Sequence, residues 1–475
     1  LIERRKNMKK MTAKRWLVLA LVLVFVGFIG ASLIQTDFGN VSITKLNFET
    51  EDGLTLSALL LTPDSATADT PAPAIVTVHG WYNNKEMQDL NYVELARRGF
   101  VVLAIDQYSH GDSDNADVGF ENYSGNGLYY AVKEIAKLNY VDKTRIGVTG
   151  HSYGAECCKS AVERDKEADE QLISAVLLVC ADSVYTPSNT MTNMPRCVYD
   201  PYSDEAGFFN FWGNRDVGIV AAQYDEFYHG YPDDTAANST APRDYIHQPT
   251  AQSFLYFGVD PEGKTERSAY EYYYETVDGE DCFHVIYNPD IIHPQAHWNI
   301  GVEKSVIEFF TESLDAPNPI SSSNQTWPIK CTFNGISLIG FFMFIVSLAI
   351  YLLDKPYFAA LKAEREVARL EAPKSGLGKF WFWGGMVLAM LFGMIAYLKM
   401  HDPIQNLYPN LYNPTAHGYS FFFNQFPTLF IGCWSAVCGC FLVLLMFLSY
   451  KTYGKNNGMD LAVRGVKISL SKLWK

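Results

Sequence analysis

Ser152 is the side chain in this sequence with the best case for covalent chemistry. It stands in the middle of a Gly-x-Ser-x-Gly pentapeptide, Gly150 to Gly154, directly after the apolar run 146–148. A serine between two glycines at the end of a strand is typical of a tight strand-to-helix turn, which lifts the hydroxyl oxygen away from the backbone. A plain turn of small residues would give the same letters. The pattern therefore predicts a nucleophile that attacks a carbonyl, provided that the chain supplies partners for it.

The segments around this serine alternate between two kinds of periodicity. Apolar runs typical of buried strands cover 73–78 and 100–105, and a segment with helical spacing, 86–98, lies between them and ends at Gly99. A second helical segment, 155–166, follows the serine. Strands that alternate with helices predict an α/β fold, with a mostly parallel central sheet and helices on both faces.

This order of elements resembles the α/β-hydrolase family. The resemblance rests on His79-Gly80 after one strand, the loop Asp106 to Ser113 after the next, the turn Gly150 to Gly154, and a hairpin-like segment, 43–62. It covers residues 43–314 and points to serine hydrolases of the esterase and lipase kind, near the branch of dienelactone hydrolase and prolyl oligopeptidase. The family order of its catalytic residues is serine, acid, histidine.

The resemblance implies an acid just past the strand that begins at Val217. Asp225 occupies that place and is the expected acid, although an aspartate there could also cap a turn. Asp182, at the end of the preceding strand, is the alternative, because some members of this fold carry the acid at that position.

The base should lie between the last strand, 283–287, and the last helix, 302–314. Two histidines fit, His293 and His297. His297 is the preferred base because it lies closer to the helix start, while His293 precedes a proline that restricts its backbone. Either one could instead be a loop histidine that hydrogen-bonds the backbone.

The family also supplies two backbone N–H groups to the developing oxyanion. By resemblance these are the amides of Tyr153 and Trp81, with Tyr82 as the near alternative to Trp81. The Trp81 side chain is as well suited to a pocket wall, and His79 is expected to order its own loop.

The reaction implied by the resemblance is acyl transfer through a covalent ester of Ser152, on a small ester, lipid-like or peptide-like substrate. No Cys or His pair shows zinc-ligand spacing, so no metal and no other cofactor are expected. A serine peptidase or amidase is the second enzyme hypothesis. A membrane sensor or transport subunit whose hydrolase-like domain only binds is the non-enzyme alternative.

Four apolar segments predict membrane helices: 16–36, 331–353, 380–398 and 426–450. The first is interpreted as an uncleaved anchor. The null alternative, buried helices of a soluble domain, would have to explain three such runs in succession near the C-terminus. Residues 37–316 are then the hydrolase domain, and 317–330 are a linker into the second span.

Charge predicts the orientation. Residues 37–330 contain 18 Lys and Arg against 45 Asp and Glu, a formal charge of −27, whereas the rest of the chain carries +13. The segments 1–15, 354–379 and 451–475 are basic, and 399–425 is not. By the positive-inside rule, both ends are cytoplasmic and the hydrolase domain faces outward from the plasma membrane. An acidic domain gives no reason to expect a nucleic-acid partner.

Two insertions rich in aromatic residues, 183–216 and 227–281, depart from a minimal fold, and the first occupies the usual position of a lid. Their aromatic residues could line an acyl or aryl pocket, or could equally form the core of a small lid. A disulfide between Cys197 and Cys282 is conceivable, but five cysteines in the predicted outward domain argue against a full disulfide framework.

Overall fold

The computed structural model describes residues 11–81, 83–114, 126–183, 185–186, 196–197, 208–227, 241–362, 372–407 and 426–457. The chain forms two compact units. Residues 33–328 make up most of the larger unit, and the smaller one contains most of the long apolar helices. Both predicted insertions lie partly outside the described residues.

The larger unit is built on a nine-stranded sheet in the order β1-β2-β4-β3-β5-β6-β9-β11-β10. The strands are β1 (Val41–Glu49), β2 (Thr55–Pro63), β3 (Ala72–Val78), β4 (Val101–Ile105), β5 (Val141–His151), β6 (Ile173–Val179), β9 (Asp216–Val220), β10 (Tyr273–Val277) and β11 (Glu280–Tyr287), and a separate two-stranded sheet joins β7 (Tyr185–Thr186) to β8 (Arg196–Cys197). Every pairing from β4 to β11 is parallel, while β1, β2 and β10 pair antiparallel at the two edges. This arrangement confirms the predicted α/β-hydrolase fold with a mostly parallel sheet.

Helices cover both faces of this sheet. They are α2 (Asp89–Arg97), α3 (Asn126–Ile135), α4 (Tyr153–Glu167), α5 (Pro249–Leu255) and α6 (Ile300–Leu314). The central strands are buried on both sides, and neighbouring residues of β3 belong to two different hydrophobic clusters: Val76 to one and Ile75 to the other. Continuous apolar strands of this kind are what a parallel sheet covered on both faces requires.

The second predicted insertion contributes to the core as well as to the surface. Its strand β10 extends the main sheet, and Tyr245, Phe254 and Leu255 are buried in one of the two hydrophobic clusters. These buried side chains of the insertion therefore stabilise the domain rather than line an open pocket.

Residues 317–327 are fastened to helix α2. The Arg98 guanidinium donates to the carbonyl oxygens of Ile320 and Ser321 at 3.1 and 2.8 Å, and the Glu94 carboxylate accepts from the Trp327 amide at 2.9 Å. The predicted linker is thus held by buried charged side chains.

Four helices in the described residues are long and apolar enough to cross a membrane. They are α1 (Ala13–Gln35), α7 (Trp327–Leu353), α8 (Gly376–Gln405) and α9 (Phe426–Ser449). Helices α1 and α7 approach closely, because a Cβ atom at Gly27 would lie 2.5 Å from the Phe333 carbonyl oxygen and one at Gly340 would lie 2.9 Å from the Ala20 carbonyl oxygen. Small residues at helix contacts are typical of membrane helices.

Candidate active site

Ser152 sits at a strained turn between β5 and α4. Its backbone has φ 57° and ψ −120°, a conformation that residues with a side chain rarely adopt. Gly150 and Gly154 permit it: a Cβ atom on Gly150 would lie 2.4 Å from the Gly154 carbonyl carbon, and one on Gly154 would lie 2.5 Å from the Val78 carbonyl oxygen. The pentapeptide therefore forms the predicted strand-to-helix turn, and the serine side chain stays partly exposed.

The turn after β3 passes directly over this serine. A Cβ atom on Gly80 would lie 3.1 Å from the His151 carbonyl oxygen and 3.4 Å from the Ser152 Cβ atom, so this turn lies against the serine. The Trp81 and Tyr153 rings meet edge to face with their centroids 4.9 Å apart. The two residues predicted to supply oxyanion amides thus lie together beside the serine, while Tyr82 lies outside the described residues.

His79 fixes the same loop. It is fully buried, its Nδ1 donates to the Gly80 carbonyl oxygen at 2.7 Å, and its Nε2 accepts from the Gln107 amide at 3.1 Å. Burial lowers the pKa of His79 well below its ordinary value, and this keeps the ring neutral with both nitrogens in use. The ring orders the loop, in line with expectation.

Asp225 and His293 form a hydrogen-bonded pair. The His293 Nδ1 atom lies 2.9 and 3.0 Å from the two carboxylate oxygens of Asp225, and both side chains are buried. Because an ionised carboxylate can only accept, the proton is on Nδ1, and the Nε2 atom of neutral His293 is left as an acceptor. That is the tautomer that a general base for a serine requires.

The structure differs here from the sequence preference for His297 as the base. Asp225 contacts His293, whereas the His297 ring lies against the His151 ring with centroids 4.1 Å apart. Burial lowers the pKa of His297 to about 4, the nearby His293 adds to this, and a hydrogen bond to the Met87 backbone opposes it. No carboxylate is among the causes of that shift, and the Met87 backbone contact favours the charged ring less than burial and His293 disfavour it.

Continued pairing beyond the strand ends explains why His293 meets the acid. After β9 and β11 end, Tyr224 and Ile292 still form a parallel bridge, and the Tyr224 amide donates to the Ile291 carbonyl at 3.0 Å. The next residue on each chain is Asp225 and His293, so the bridge places them side by side. The distance of a histidine from the helix start does not predict this contact. The position of each residue relative to the end of its strand does predict it.

Asp182, the alternative acid, has a different partner. Its Oδ1 atom lies 3.2 Å from the Nζ atom of Lys159, which is fully buried and also lies 3.0 Å from Glu156 Oε1. A carboxylate paired with a lysine is not oriented toward a histidine. The structure therefore favours Asp225 over Asp182 as the orienting acid.

Two further residues contact His293 and were not singled out from the sequence. The His151 Nε2 atom donates to the His293 carbonyl oxygen at 3.1 Å, which ties the residue before the serine to the residue that pairs with the acid. The exposed Phe227 ring meets the His293 ring edge to face at 4.9 Å, and its amide donates to Asp225 Oδ1 at 2.9 Å. The only sequence signal for either is its proximity to Ser152 or Asp225.

One set of side chains in the described residues could hold a metal ion: His151, Cys180 and His293. Cys282 is buried and free, with its Sγ atom 3.7 Å from the Glu275 carbonyl oxygen, and the Cys197 side chain lies outside the described residues.

Comparison with known proteins places this site in a family context. Residues 75–298 match the sequence model of the alpha/beta hydrolase family. A segment of 122 residues is 30% identical to the uncharacterized peptidase YuxL of Bacillus subtilis (strain 168), covering 23% of this chain and 18% of that protein. The match thus spans about a fifth of that relative's length.

Solved structures of similar fold include a hyperthermophilic esterase from the archaeon Pyrobaculum calidifontis. It shares 16% identity over 64% of this chain and 92% of that one, with a TM-score of 0.37. A bacterial heroin esterase shares 17% identity over 62% of this chain and 90% of that one, also with a TM-score of 0.37. The sequence match at residues 75–298 covers slightly less than half of the chain. Together with the sheet order and the turn at Ser152, it shows that this part of the chain has the alpha/beta hydrolase fold.

Proposed function

We propose that this chain is a membrane-anchored serine hydrolase that cleaves carboxylic esters or thioesters through an acyl-enzyme on Ser152. The observation that carries the proposal is the buried Asp225–His293 pair, at the same edge of the sheet as the strained serine turn. The tautomer fixed by Asp225 leaves the Nε2 atom of His293 ready to accept a proton.

The proposed first step is attack of Ser152 Oγ on the substrate carbonyl carbon. His293 takes the hydroxyl proton at Nε2, and Asp225 stabilises the imidazolium that forms. The backbone amides of Tyr153 and Trp81 donate to the oxygen that becomes negative. His293 then gives the proton to the departing alcohol or thiol, and the carbonyl re-forms as a serine ester.

Release follows the same path in reverse. Water attacks the ester carbonyl, His293 takes a proton from it, and the Ser152 oxygen leaves with that proton as the acid departs. The neutral His151 and His297 rings beside His293 add no positive charge that would oppose the imidazolium, because burial lowers the pKa of both.

A peptidase or amidase is the second candidate. It is supported by the 30% identity to a protein that is named an uncharacterized peptidase. The chemistry of Ser152 and His293 would be the same, and only the leaving group would differ. Parallel assays with nitrophenyl esters and nitroanilides of the same acyl groups separate the two candidates.

The membrane part of the proposal rests on the four long apolar helices and on the charge of the segments between them. The basic segments 1–15, 354–379 and 451–475 support an orientation with both ends in the cytoplasm and the hydrolase domain outside, by the positive-inside rule.

One experiment tests nucleophile and orientation together. Intact cells that express the chain are labelled with a membrane-impermeant fluorophosphonate, and the native chain is compared with Ser152→Ala. Ser160→Ala is the matched control, because Ser160 lies on the same helix α4, is buried, and has a hydroxyl without a hydrogen-bond partner. We expect labelling of the native chain and of the control, and none of Ser152→Ala.

Two other results would contradict the proposal in different ways. Labelling that appears only after lysis would reverse the orientation. Absence of labelling both before and after lysis would favour a domain that binds without catalysis.

A further inference from the structure

Three buried donor side chains meet at the proposed base, His293, which is one of the three. They come from separate segments: His151 ends β5, Cys180 follows β6, and His293 begins the 3₁₀ segment His293–Trp298. One ligand atom from each lies within 4.8 Å of the other two. Sequence spacing could not show this group, because its members end or follow β5, β6 and β11, which the strand order β5-β6-β9-β11 brings close together.

The donor types suit a soft or borderline metal ion. Two imidazoles and a thiolate are ligands that Zn²⁺ and Cd²⁺ prefer, whereas Mg²⁺ and Ca²⁺ prefer oxygen. Zinc–nitrogen bonds of about 2.0–2.1 Å and zinc–sulfur bonds of about 2.3 Å require the donors to approach one another by up to roughly 1 Å. Side-chain rotation is enough for such a change.

His151 has a coordination site that the fold leaves unused. Its side chain is 6% exposed, and its Nδ1 atom has no hydrogen-bond partner in the described residues. A buried ring nitrogen without a partner is costly, and a bound ligand at that atom would offset the cost.

The surroundings of Cys180 favour a cation. Its Sγ atom lies 3.8 Å from the His293 carbonyl oxygen, and the Glu226 carboxylate accepts from the His293 amide at 2.9 Å. The Asp225 carboxylate also lies 2.9 Å from the His293 Nδ1 atom, so two acidic side chains contact the histidine of the cluster. The same negative environment stabilises a divalent ion that displaces the thiol proton.

We propose that His151, Cys180 and His293 form a binding site for Zn²⁺ or a similar soft divalent cation, and that occupancy blocks hydrolysis. Binding forms bonds from the metal to two neutral imidazoles and to the Cys180 sulfur, and the thiol proton passes to solvent. A metal bond at the His293 Nε2 atom would occupy the proposed proton acceptor, and one at Nδ1 would replace the contact with Asp225. The inhibition rests on the proposed role of His293 as the base, whereas the binding site itself does not.

Direct metal binding tests the site without any activity. The purified full-length chain in detergent, with its cysteines reduced, is titrated with Cd²⁺, and the ultraviolet cadmium–thiolate absorption is compared between the native chain and Cys180→Ser. Cys158→Ser is the matched control, because Cys158 is equally buried but lies outside the cluster. We expect a saturable band of one Cd²⁺ per chain that Cys180→Ser loses and Cys158→Ser keeps.

The fluorophosphonate assay on the same samples tests the inhibition. Saturating Cd²⁺ should reduce labelling of the native chain at least tenfold, and removal of Cd²⁺ by a chelator should restore it. Cys180→Ser should stay labelled at the same Cd²⁺ concentration. If Cys180→Ser does not fold, Cys180→Ala takes its place with the same expectation.

The outcomes separate the two proposals. Equal absorption in the native chain and in Cys180→Ser would overturn the metal site. Cadmium binding with undiminished labelling would overturn the inhibition. A native chain that is never labelled would overturn the proposed function, and the absorption difference would still decide the metal site.

Discussion

Two strands of the central sheet end in carboxylates that have opposite surroundings. After β6, Asp182 faces the buried ammonium of Lys159 at 3.2 Å. After β9, Asp225 faces the imidazole of His293 at 2.9 Å. A lysine is a permanent cation at neutral pH and satisfies its carboxylate, whereas a neutral histidine leaves its carboxylate able to stabilise a charge that appears only during a reaction. Two similar positions at one edge of the sheet thus have different partners: Asp182 forms a structural ion pair, and Asp225 forms a candidate catalytic pair.

The sharpest test of this difference is the choice between the two histidines of the loop. We expect His293→Gln to lower kcat/KM for a nitrophenyl ester by about 10⁴-fold or more, because it removes the proton acceptor of a unit that acts together. His297→Gln should change it by less than about tenfold, since no carboxylate contacts that ring. Steady-state kinetics of both variants measures this, and the reverse ranking would restore His297 as the base.

The two acids provide the next contrast. Asp225→Asn should lower kcat by about 10⁴-fold, because an amide in that place no longer selects the Nδ1–H tautomer of His293. Asp182→Asn should leave kcat within about tenfold and act mainly on stability. Loss of activity in Asp182→Asn, with unfolding unchanged, would mean that both strand ends serve the reaction.

Removal of the lysine examines the structural side of the comparison. Lys159→Met leaves Glu156 and Asp182 without their shared cation, and we expect the free energy of unfolding to fall by about 3–5 kcal/mol. Lys143→Met is the control, because its ion pair with Glu170 is exposed and should cost at most about 1 kcal/mol. Chemical denaturation followed by fluorescence gives both values, and equal losses would contradict a special role for the buried pair.

Asp216, at the opposite end of β9, extends the comparison to a carboxylate that forms no ion pair with a cation in the described residues. Burial raises its pKa to about 7, although its carboxylate accepts from the Phe283 amide at 2.9 Å. In the unfolded chain an aspartate has a pKa of about 3.9, so between pH 4 and 7 the unfolded chain releases a proton that the folded chain keeps. The native chain should therefore lose stability as pH rises through this window, by at most about 4 kcal/mol. Asp216→Asn should remove that loss. Denaturation midpoints of the native chain and of Asp216→Asn at pH 5 and pH 8 measure it. The same pH dependence in both chains would contradict the expectation.

The sequence predicts the sheet and the serine turn well because both depend on local pattern. Gly150 and Gly154 are readable since each excludes a Cβ atom at one place, and the buried strands are readable since they are apolar throughout. The histidine depends instead on a contact between residues 68 apart in sequence. Proximity to the helix start favours His297, whereas the bridge at Tyr224 brings His293 into contact with Asp225.

The proposed metal-binding cluster could not be predicted from sequence spacing. Two donors close together in sequence give a recognisable motif, but His151, Cys180 and His293 are far apart and become neighbours only through strand order. The role of Phe227 is hidden for the same reason, since its contact with His293 depends on how the two loops pair.

The bridge between Tyr224 and Ile292 also bears on how this domain can diversify. It aligns the acid and the histidine through the ends of β9 and β11, which are neighbouring parallel strands of the sheet. A change in the length of the chain between these strands therefore leaves the contact in place as long as both strand ends stay paired. If the pair acts as proposed, the catalytic geometry is insulated from length changes in the segment that connects its two members.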